Sequence, residues 1–251
     1  MAGRMDGRVV MITGASSGFG AHFARLLAGE GAQVVFGARR VDRIAELALE
    51  IGDNALAIPL DVTDEASIIA GYDAAEARFG TVDTVIANAG LAREGRSTDV
   101  TKADIDTLLA TNLTGLYLTA REGARRMIAA GYRDSERGRI VLIGSITAGL
   151  TGNGDAAYAA SKAAVAHLGR QFAREWVRQG INVNTLQPGY IQTEVAGDWF
   201  QTEGGQHHIN SFHRRRLCPI DALDEPLILL CSDAARHITG ATITIDDGQA
   251  L

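Results

Sequence analysis

The chain has 251 residues, 46% of them hydrophobic and 22% charged, which suits one large α/β unit or two small ones with a sizeable core. Its formal net charge of −6 argues against nucleic acid or an anionic membrane as partner. No apolar run nears the roughly 20 residues of a membrane span, and no charged-then-apolar leader precedes Val9, so a cytoplasmic location is expected.

The first element is Val9-Val10-Met11-Ile12, a short apolar run that reads as a strand buried on both faces. The stretch Thr13-Gly14-Ala15-Ser16-Ser17-Gly18-Phe19-Gly20 follows. Phe19, Phe23, Leu26 and Leu27 then recur at helical spacing until Gly29 and Gly31 close the helix. Residues 34–36 predict a second strand, 41–51 a helix and 56–60 a third strand. Asp64 is placed to cap the next helix. Residues 82–87 predict a fourth strand, 102–130 one long helix and 140–143 a fifth strand. The Ala-rich run at 155–178 predicts a helix, since Ala is the best helix former. Residues 181–186 predict a sixth strand, 194–216 an irregular segment, 224–231 a helix and 242–245 a last strand. Cys218 and Cys231 have neither disulfide nor metal-ligand spacing and are expected as buried thiols in a reducing compartment.

Strand and helix alternate without a linker, a repeat or a low-complexity stretch. That pattern predicts one doubly wound parallel sheet with right-handed crossovers, and so a single domain over residues 1–251.

Gly14, Gly18 and Gly20 lie between the first strand and the first helix. Glycines let backbone turn tightly against a pyrophosphate, and a helix start offers free N–H groups and positive dipole. In this context they predict a dinucleotide site. An acidic residue at the end of the second strand would accept from the adenosine ribose 2′-OH. Here that strand runs into Gly37-Ala38-Arg39-Arg40. Two guanidinium groups suit a 2′-phosphate, so NADP(H) is expected, with NAD(H) as the alternative.

Asn112 falls on the apolar stripe of Ile105, Leu108, Leu109, Leu113 and Leu116. A buried Asn needs hydrogen-bond partners, and a bend, a cross-helix bond or a catalytic use all fit. Ser145 follows the strand at 140–143, and the carboxyl ends of parallel strands face the ligand crevice. Tyr158 and Lys162 stand one helical turn apart on one face. An ammonium beside a phenol favours phenolate, which would tune Tyr158 for proton transfer. Lys102 and Lys162 are the only lysines, so a Lys at 162 suggests that the compact ammonium itself is wanted.

In their order and spacing, Thr13 with the three glycines, Asn88-Ala89-Gly90, Asn112, Ser145, Tyr158-x-x-x-Lys162 and Pro188-Gly189 resemble the short-chain dehydrogenase/reductase family over essentially the whole chain. The resemblance implies a Rossmann-type domain with a seven-stranded parallel sheet. It implies Tyr158 as general acid/base and Lys162 as the residue that binds the nicotinamide ribose and lowers the Tyr158 pKa. Ser145 would polarise the carbonyl, and Asn112 would anchor a water in a proton relay to Lys162. It further implies cofactor contacts at Gly14, Ser16, Ser17, Gly18, Phe19 and Gly20. Others fall at Asp61 and Val62 by the adenine, and at Asn88, Ala89 and Gly90 by the adenosine ribose. Pro188, Gly189, Ile191 and Thr193 would lie by the nicotinamide and phosphates. No metal is implied. The chain departs from the family pattern at Ala87, at Ser17, which is not basic, and at Asp247 in Asp246-Asp247-Gly248.

Residues 194–216 match the family's variable substrate lid. Trp199, Phe200 and Phe212 there suit a bulky or ring-bearing substrate or simply pack the lid. His207, His208 and His213 lack the companions of a metal site, and the arginines at 214–216 suit an anionic substrate or a subunit contact. The expectation is an NADP-dependent oxidoreductase that interconverts a ketone and a secondary alcohol, assembled as a homotetramer through the two long helices and the last strand. One alternative is a 3-oxoacyl-thioester reductase that docks an acidic carrier protein on Arg121, Arg125 and Arg126. A dinucleotide-sensing regulator without turnover is the alternative of another class.

Overall fold

The computed structural model describes residues 3–92 and 95–251. Among them, seven strands form one parallel sheet in the order β3-β2-β1-β4-β5-β6-β7. They are β1 (Val9–Thr13), β2 (Gln33–Ala38), β3 (Ala55–Pro59), β4 (Thr84–Ala87), β5 (Gly138–Ile143), β6 (Ile181–Pro188) and β7 (Thr242–Ile245). Side chains alternate across the sheet. Ile12, Phe36 and Val141 therefore join a core layer with Phe23, Ile44 and Leu227. Met11, Val35 and Leu142 join the opposite layer with Tyr72, Ala124 and Phe172. Both faces are covered, which is why the strands read as continuous apolar runs rather than alternating ones.

The helices are α1 (Gly18–Gly29), α2 (Val41–Ile51), α3 (Glu65–Phe79), α4 (Lys102–Leu109), α5 (Leu116–Ala129), α6 (Tyr132–Ser135), α7 (Ala156–Trp176), α8 (Glu203–Ser211) and α9 (Asp224–Cys231). Asp64 caps α3 as expected, accepting from the Ala66 N–H at 2.9 Å. The long helix expected at 102–130 is interrupted. Residues Ala110–Gly115 form a π-helical turn between α4 and α5, centred on the buried Asn112. The segment 194–216 is not irregular throughout, because it contains α8, capped by Thr202. Both cysteines are buried free thiols. No helix among the described residues is long and apolar enough to cross a membrane.

Strand order reverses between β1 and β4, where β2 and β3 lie to one side and β5 to β7 to the other. The crevice outside the carboxyl ends of the strands opens at such a switch point. The loops after β1, β2, β4, β5 and β6 all reach it.

Candidate active site

A cleft of about 1120 Å³ runs along these carboxyl ends. One end is built by the loop between β1 and α1. Gly14 and Gly18 have φ of 73° and 53°, in the left-handed region that favours glycine. A Cβ on Gly14 would come 2.7 Å from the Ala89 Cα, and one on Gly20 would come 2.5 Å from the Gly14 carbonyl oxygen. Ser17 stands at the N-cap of α1 in extended conformation and makes no side-chain cap. The first N–H groups of α1 are thus left for a ligand. The Asn88 side chain donates to the Thr13 carbonyl at 2.9 Å, which holds the β1 and β4 loops together. A backbone cradle that side chains would fill, at an uncapped helix start, fits a dinucleotide pyrophosphate.

Beyond the glycine loop the cleft is lined by Ser16, Ser17, Phe19, Arg39, Arg40, Asp61 and Val62. Asp61 is held ionised, its carboxyl kept below the ordinary range chiefly by the Thr63 N–H, with Arg39 adding its charge. Among the described residues the Arg39 guanidinium makes no hydrogen bond or ion pair, and it is exposed at the rim. Arg40 differs from the expectation that both arginines are free for a phosphate. Its guanidinium donates to Ser16 Oγ at 3.1 Å, to Ser17 Oγ at 2.8 Å and to both carboxylate oxygens of Glu194. The Glu194 carboxyl is held below its ordinary range by Arg40 first and Ser17 second.

Ser145, Tyr158 and Lys162 line the same cleft, as do Gly90, Gly189 and Ile191, while Asn88, Ala89 and Thr193 line it against the glycine loop. Ser145 Oγ accepts from the Thr147 N–H at 3.2 Å and from the Thr147 hydroxyl at 3.0 Å, and its hydroxyl lies near the Tyr158 phenol. Lys162 is buried and donates to the Ile143 carbonyl at 2.8 Å, with its Nζ 5.7 Å from the centre of the Tyr158 ring. Burial brings Lys162 down to about 8. The Tyr158 phenol is pushed up from its ordinary value, chiefly by burial, and the neighbouring Ser145 hydroxyl opposes this. The expected lowering by Lys162 is therefore absent in the protein alone. The ammonium is turned to the Ile143 carbonyl, and the enclosed phenol resists ionisation.

Three of the expected residues do not line the cleft. Gly20 packs behind the glycine loop, and Pro188 pairs with Ile245 in the sheet. Asn112 lies behind Gly90. Its Oδ1 accepts from the Leu91 N–H at 2.9 Å and its Nδ2 donates to the Leu91 carbonyl at 2.8 Å. Of the uses open to it, the side chain makes a cross-element bond to the backbone of Leu91.

The remaining wall is aromatic. Tyr190 packs against His208 at 4.7 Å and Phe212 at 5.4 Å between ring centres, and Trp199 packs against Phe200 at 5.0 Å. Tyr190, Trp199, Phe200 and His208 face the cleft. Burial lowers the His208 pKa, which favours the neutral ring. The three histidines do not converge, and no metal-holding group of His, Cys, Asp or Glu occurs among the described residues. Arg214 and Arg216 pair with Asp247 at 3.2 and 2.6 Å, so this arginine pair is engaged within the chain by the residue that departs from the family pattern. Sequence reasoning missed Tyr190, which directly follows the noted Pro188-Gly189, and read Asp155 only as a helix start. Both line the cleft.

A doubly wound sheet with a glycine cradle at its switch point, and a Ser, Tyr and Lys in the same cleft, defines a dinucleotide-binding oxidoreductase. More particularly, the chain belongs to the short chain dehydrogenase family, whose profile matches residues 8–204. It is 38% identical over 248 residues to cis-4-hydroxycyclohexanecarboxylate dehydrogenase of Sinomonas cyclohexanicum, covering 96% of each chain. The fold is similar to that of a gluconate 5-dehydrogenase from Burkholderia cenocepacia in complex with NADP and tartrate. That match has a TM-score of 0.91 and 33% identity, and covers 98% of this chain and 96% of that one. It is also similar to 3-ketoacyl-(acyl-carrier-protein) reductase from Brucella melitensis complexed with NADH, with a TM-score of 0.89 and 32% identity, covering 98% and 99%.

Proposed function

We propose that the chain is an NADP-dependent oxidoreductase that interconverts a ketone and a secondary alcohol, with Tyr158 as general acid/base. The observation that carries this is that Ser145, Tyr158 and Lys162 line one cleft together with the glycine cradle of Gly14 and Gly18. When bound, the nicotinamide cofactor supplies or takes the hydride. In the reducing direction the Ser145 hydroxyl donates to the substrate carbonyl and orients it. The Tyr158 phenol, kept protonated by burial, gives its proton to the developing alkoxide. Lys162 would hold the ribose and, once turned from Ile143, would steady the phenolate left behind. Asn112 positions Leu91 and the cleft wall through its side chain.

The cofactor reading rests on Arg39. Its free guanidinium at the rim beside Ala38 suits a 2′-phosphate and leaves the 2′-OH of NAD without a carboxylate acceptor. Two relatives, named for a hydroxylated ring acid and for gluconate, support a small polar substrate with an apolar or ring-bearing body. The aromatic wall agrees with that.

The likeness to a 3-ketoacyl reductase favours the second reading, an acyl-thioester substrate. Against it, the arginines expected to dock a carrier protein are engaged. Arg121 pairs with Glu65, Arg125 with Glu122, and Arg126 with Glu122, Glu76 and Asp73. A regulator without turnover fits less well with a Ser, Tyr and Lys set in one cleft. A single domain, residues 194–216 as its lid, a cytoplasmic location and a homotetramer complete the reading. The open edge of β7 and the exposed Tyr117 and Ile128 of α5 are consistent with a subunit contact. Following reduced-nicotinamide absorbance with a panel of ketones, alcohols and an acetoacetyl thioester, using both cofactors, tests it. Turnover of ketones with NADPH is expected. Inertness toward the whole panel would leave the regulator, and turnover of the thioester alone would leave the second reading.

A further inference from the structure

Asp155 occupies the N-cap of α7 but makes no side-chain cap. Asp is among the residues most favoured at that position because its carboxylate accepts from the N–H groups of the first turn. Here the carboxylate is directed elsewhere. It lies by the backbone of its own loop, where a Cβ on Gly152 would come 3.3 Å from Oδ1. Among the described residues it has neither a hydrogen bond nor an ion pair. It is half-buried and lines the cleft three residues before Tyr158, and its charge reaches the Tyr158 phenol, adding to the upward push of burial.

A carboxylate that faces the cleft with no partner among the described residues is open to a ligand. An ionised carboxylate only accepts hydrogen bonds, so the ligand must present a donor. The nearness of Tyr158 places that donor beside the reacting carbon. The aromatic wall of Tyr190, Trp199 and Phe200 offers ring faces to the C–H surface of the same molecule.

We propose that Asp155 is a substrate-recognition residue that accepts a hydrogen bond from a hydroxyl adjacent to the reacting carbinol, so that the substrates are vicinal diols and the corresponding α-hydroxy ketones. This rests on the reading that Tyr158 is the acid/base of an alcohol oxidoreductase. In the oxidising direction the carbinol C–H leaves as hydride to the nicotinamide. The O–H proton goes to Tyr158, and the neighbouring hydroxyl stays intact on Asp155. One alcohol is oxidised and one NADP+ reduced. A carboxylate or a thioester next to the reacting carbon has no donor to offer and is disfavoured, the former also by charge.

The test compares matched pairs, cyclohexane-1,2-diol against cyclohexanol and butane-2,3-diol against butan-2-ol. They are assayed with the wild-type enzyme, Asp155→Asn and Asp155→Ala. A hydrogen bond to a charged acceptor predicts a wild-type preference for the diol of about 10- to 150-fold in kcat/KM. Asp155→Ala should bring that ratio close to one, and Asp155→Asn, which keeps an acceptor oxygen, should fall between. The rise of kcat/KM with pH for the monoalcohol should also move to lower pH in Asp155→Ala, because a charge that raises Tyr158 is gone. A purely structural Asp155 would instead lower Tm and depress both members of each pair equally. That result, or a wild type that prefers the monoalcohol, overturns the proposal. So does turnover of other ketones with neither pair accepted. Inertness toward every alcohol and ketone overturns the underlying reading instead.

Discussion

Arg40 and Glu194 form a two-pronged ion pair that joins the glycine loop to the start of the 194–216 segment, with Arg40 Nη2 3.3 Å from Glu194 Oε2 and the second nitrogen closer still to Oε1. The same guanidinium also holds Ser16 and Ser17, so each of its three nitrogens donates to the protein. Arg40 thus straps together two parts of the cleft. Both partners are about half exposed, so solvent screens the pair and its effect is small. Arg40→Leu and Glu194→Gln should each weaken NADPH and NADH binding by only a few-fold, and by the same factor for both. Fluorescence titration of each variant with the two cofactors measures this. A loss confined to NADPH in Arg40→Leu would make Arg40 a 2′-phosphate ligand after all.

On the proposed reading, Arg39 rather than Arg40 would carry a preference for NADPH. A charge-assisted hydrogen bond contributes about 1.5–3 kcal/mol, which is roughly 10- to 150-fold. The wild-type enzyme should prefer NADPH over NADH by that factor in kcat/KM. Arg39→Leu should remove the preference with little effect on NADH. Ala38→Asp together with Arg39→Leu should invert it, by restoring an acceptor for the ribose 2′-OH. A wild type that prefers NADH would make Arg39 a plain surface residue.

The elements that packing dictates were legible in the sequence. The helices at 41–51 and 224–231 and the strand at 242–245 have the expected bounds, because turns or charges close them sharply. What the sequence hid is non-local. The Arg40–Glu194 pair spans 154 positions, and no local pattern announces it. The π turn at Ala110–Gly115 keeps the apolar stripe of a plain helix, so only the buried Asn112 hinted at it. Gly204 and Gly205 lower the helix propensity of α8 and masked it. Asp155 read only as a helix start because residue type alone does not reveal where a carboxylate turns. The residue types of Ser145, Tyr158 and Lys162 were readable. The balance of burial against charge at the phenol was not, since it depends on how the walls close over it.

Tyr158→Phe keeps the ring and removes the proton donor. Loss of general acid catalysis lowers a rate by about 10²–10⁴-fold. Turnover should fall by that much while cofactor affinity stays within about twofold, since the ring packing is unchanged. Steady-state kinetics with a cofactor titration check both halves. Activity within about threefold of wild type would remove Tyr158 from the chemistry. Lys162→Arg should fail as well, because a planar guanidinium does not fit the buried space beside Ile143 that the ammonium fills.

The buried Lys162 also gives the protein without cofactor a pH signature. Its folded pKa is about 8, lowered by burial, while an unfolded Lys has a pKa of about 10.4. Between those values the unfolded chain binds a proton that the folded chain does not, so stability rises with pH. The contribution is fully present above the unfolded pKa and is lost as pH falls through about 8. Tyr158 and Tyr72 work in the opposite sense, since burial raises both, so stability they lend in their protonated form fades above about pH 10. Burial also raises Cys218 and Cys231, so their contribution falls across the same range. The thiols cancel in the difference between wild type and a Lys162 variant, so only that difference reports Lys162 from about pH 8 to 9.5. Lys162→Met keeps an unbranched chain of similar length and removes the charge. Its Tm relative to wild type should be most favourable near pH 7 and should decline as pH rises through the window. Thermal melts of both proteins across that range measure the difference. A difference that stays constant with pH would show that Lys162 titrates at its ordinary value and that its burial by the cleft wall is not felt by the charge.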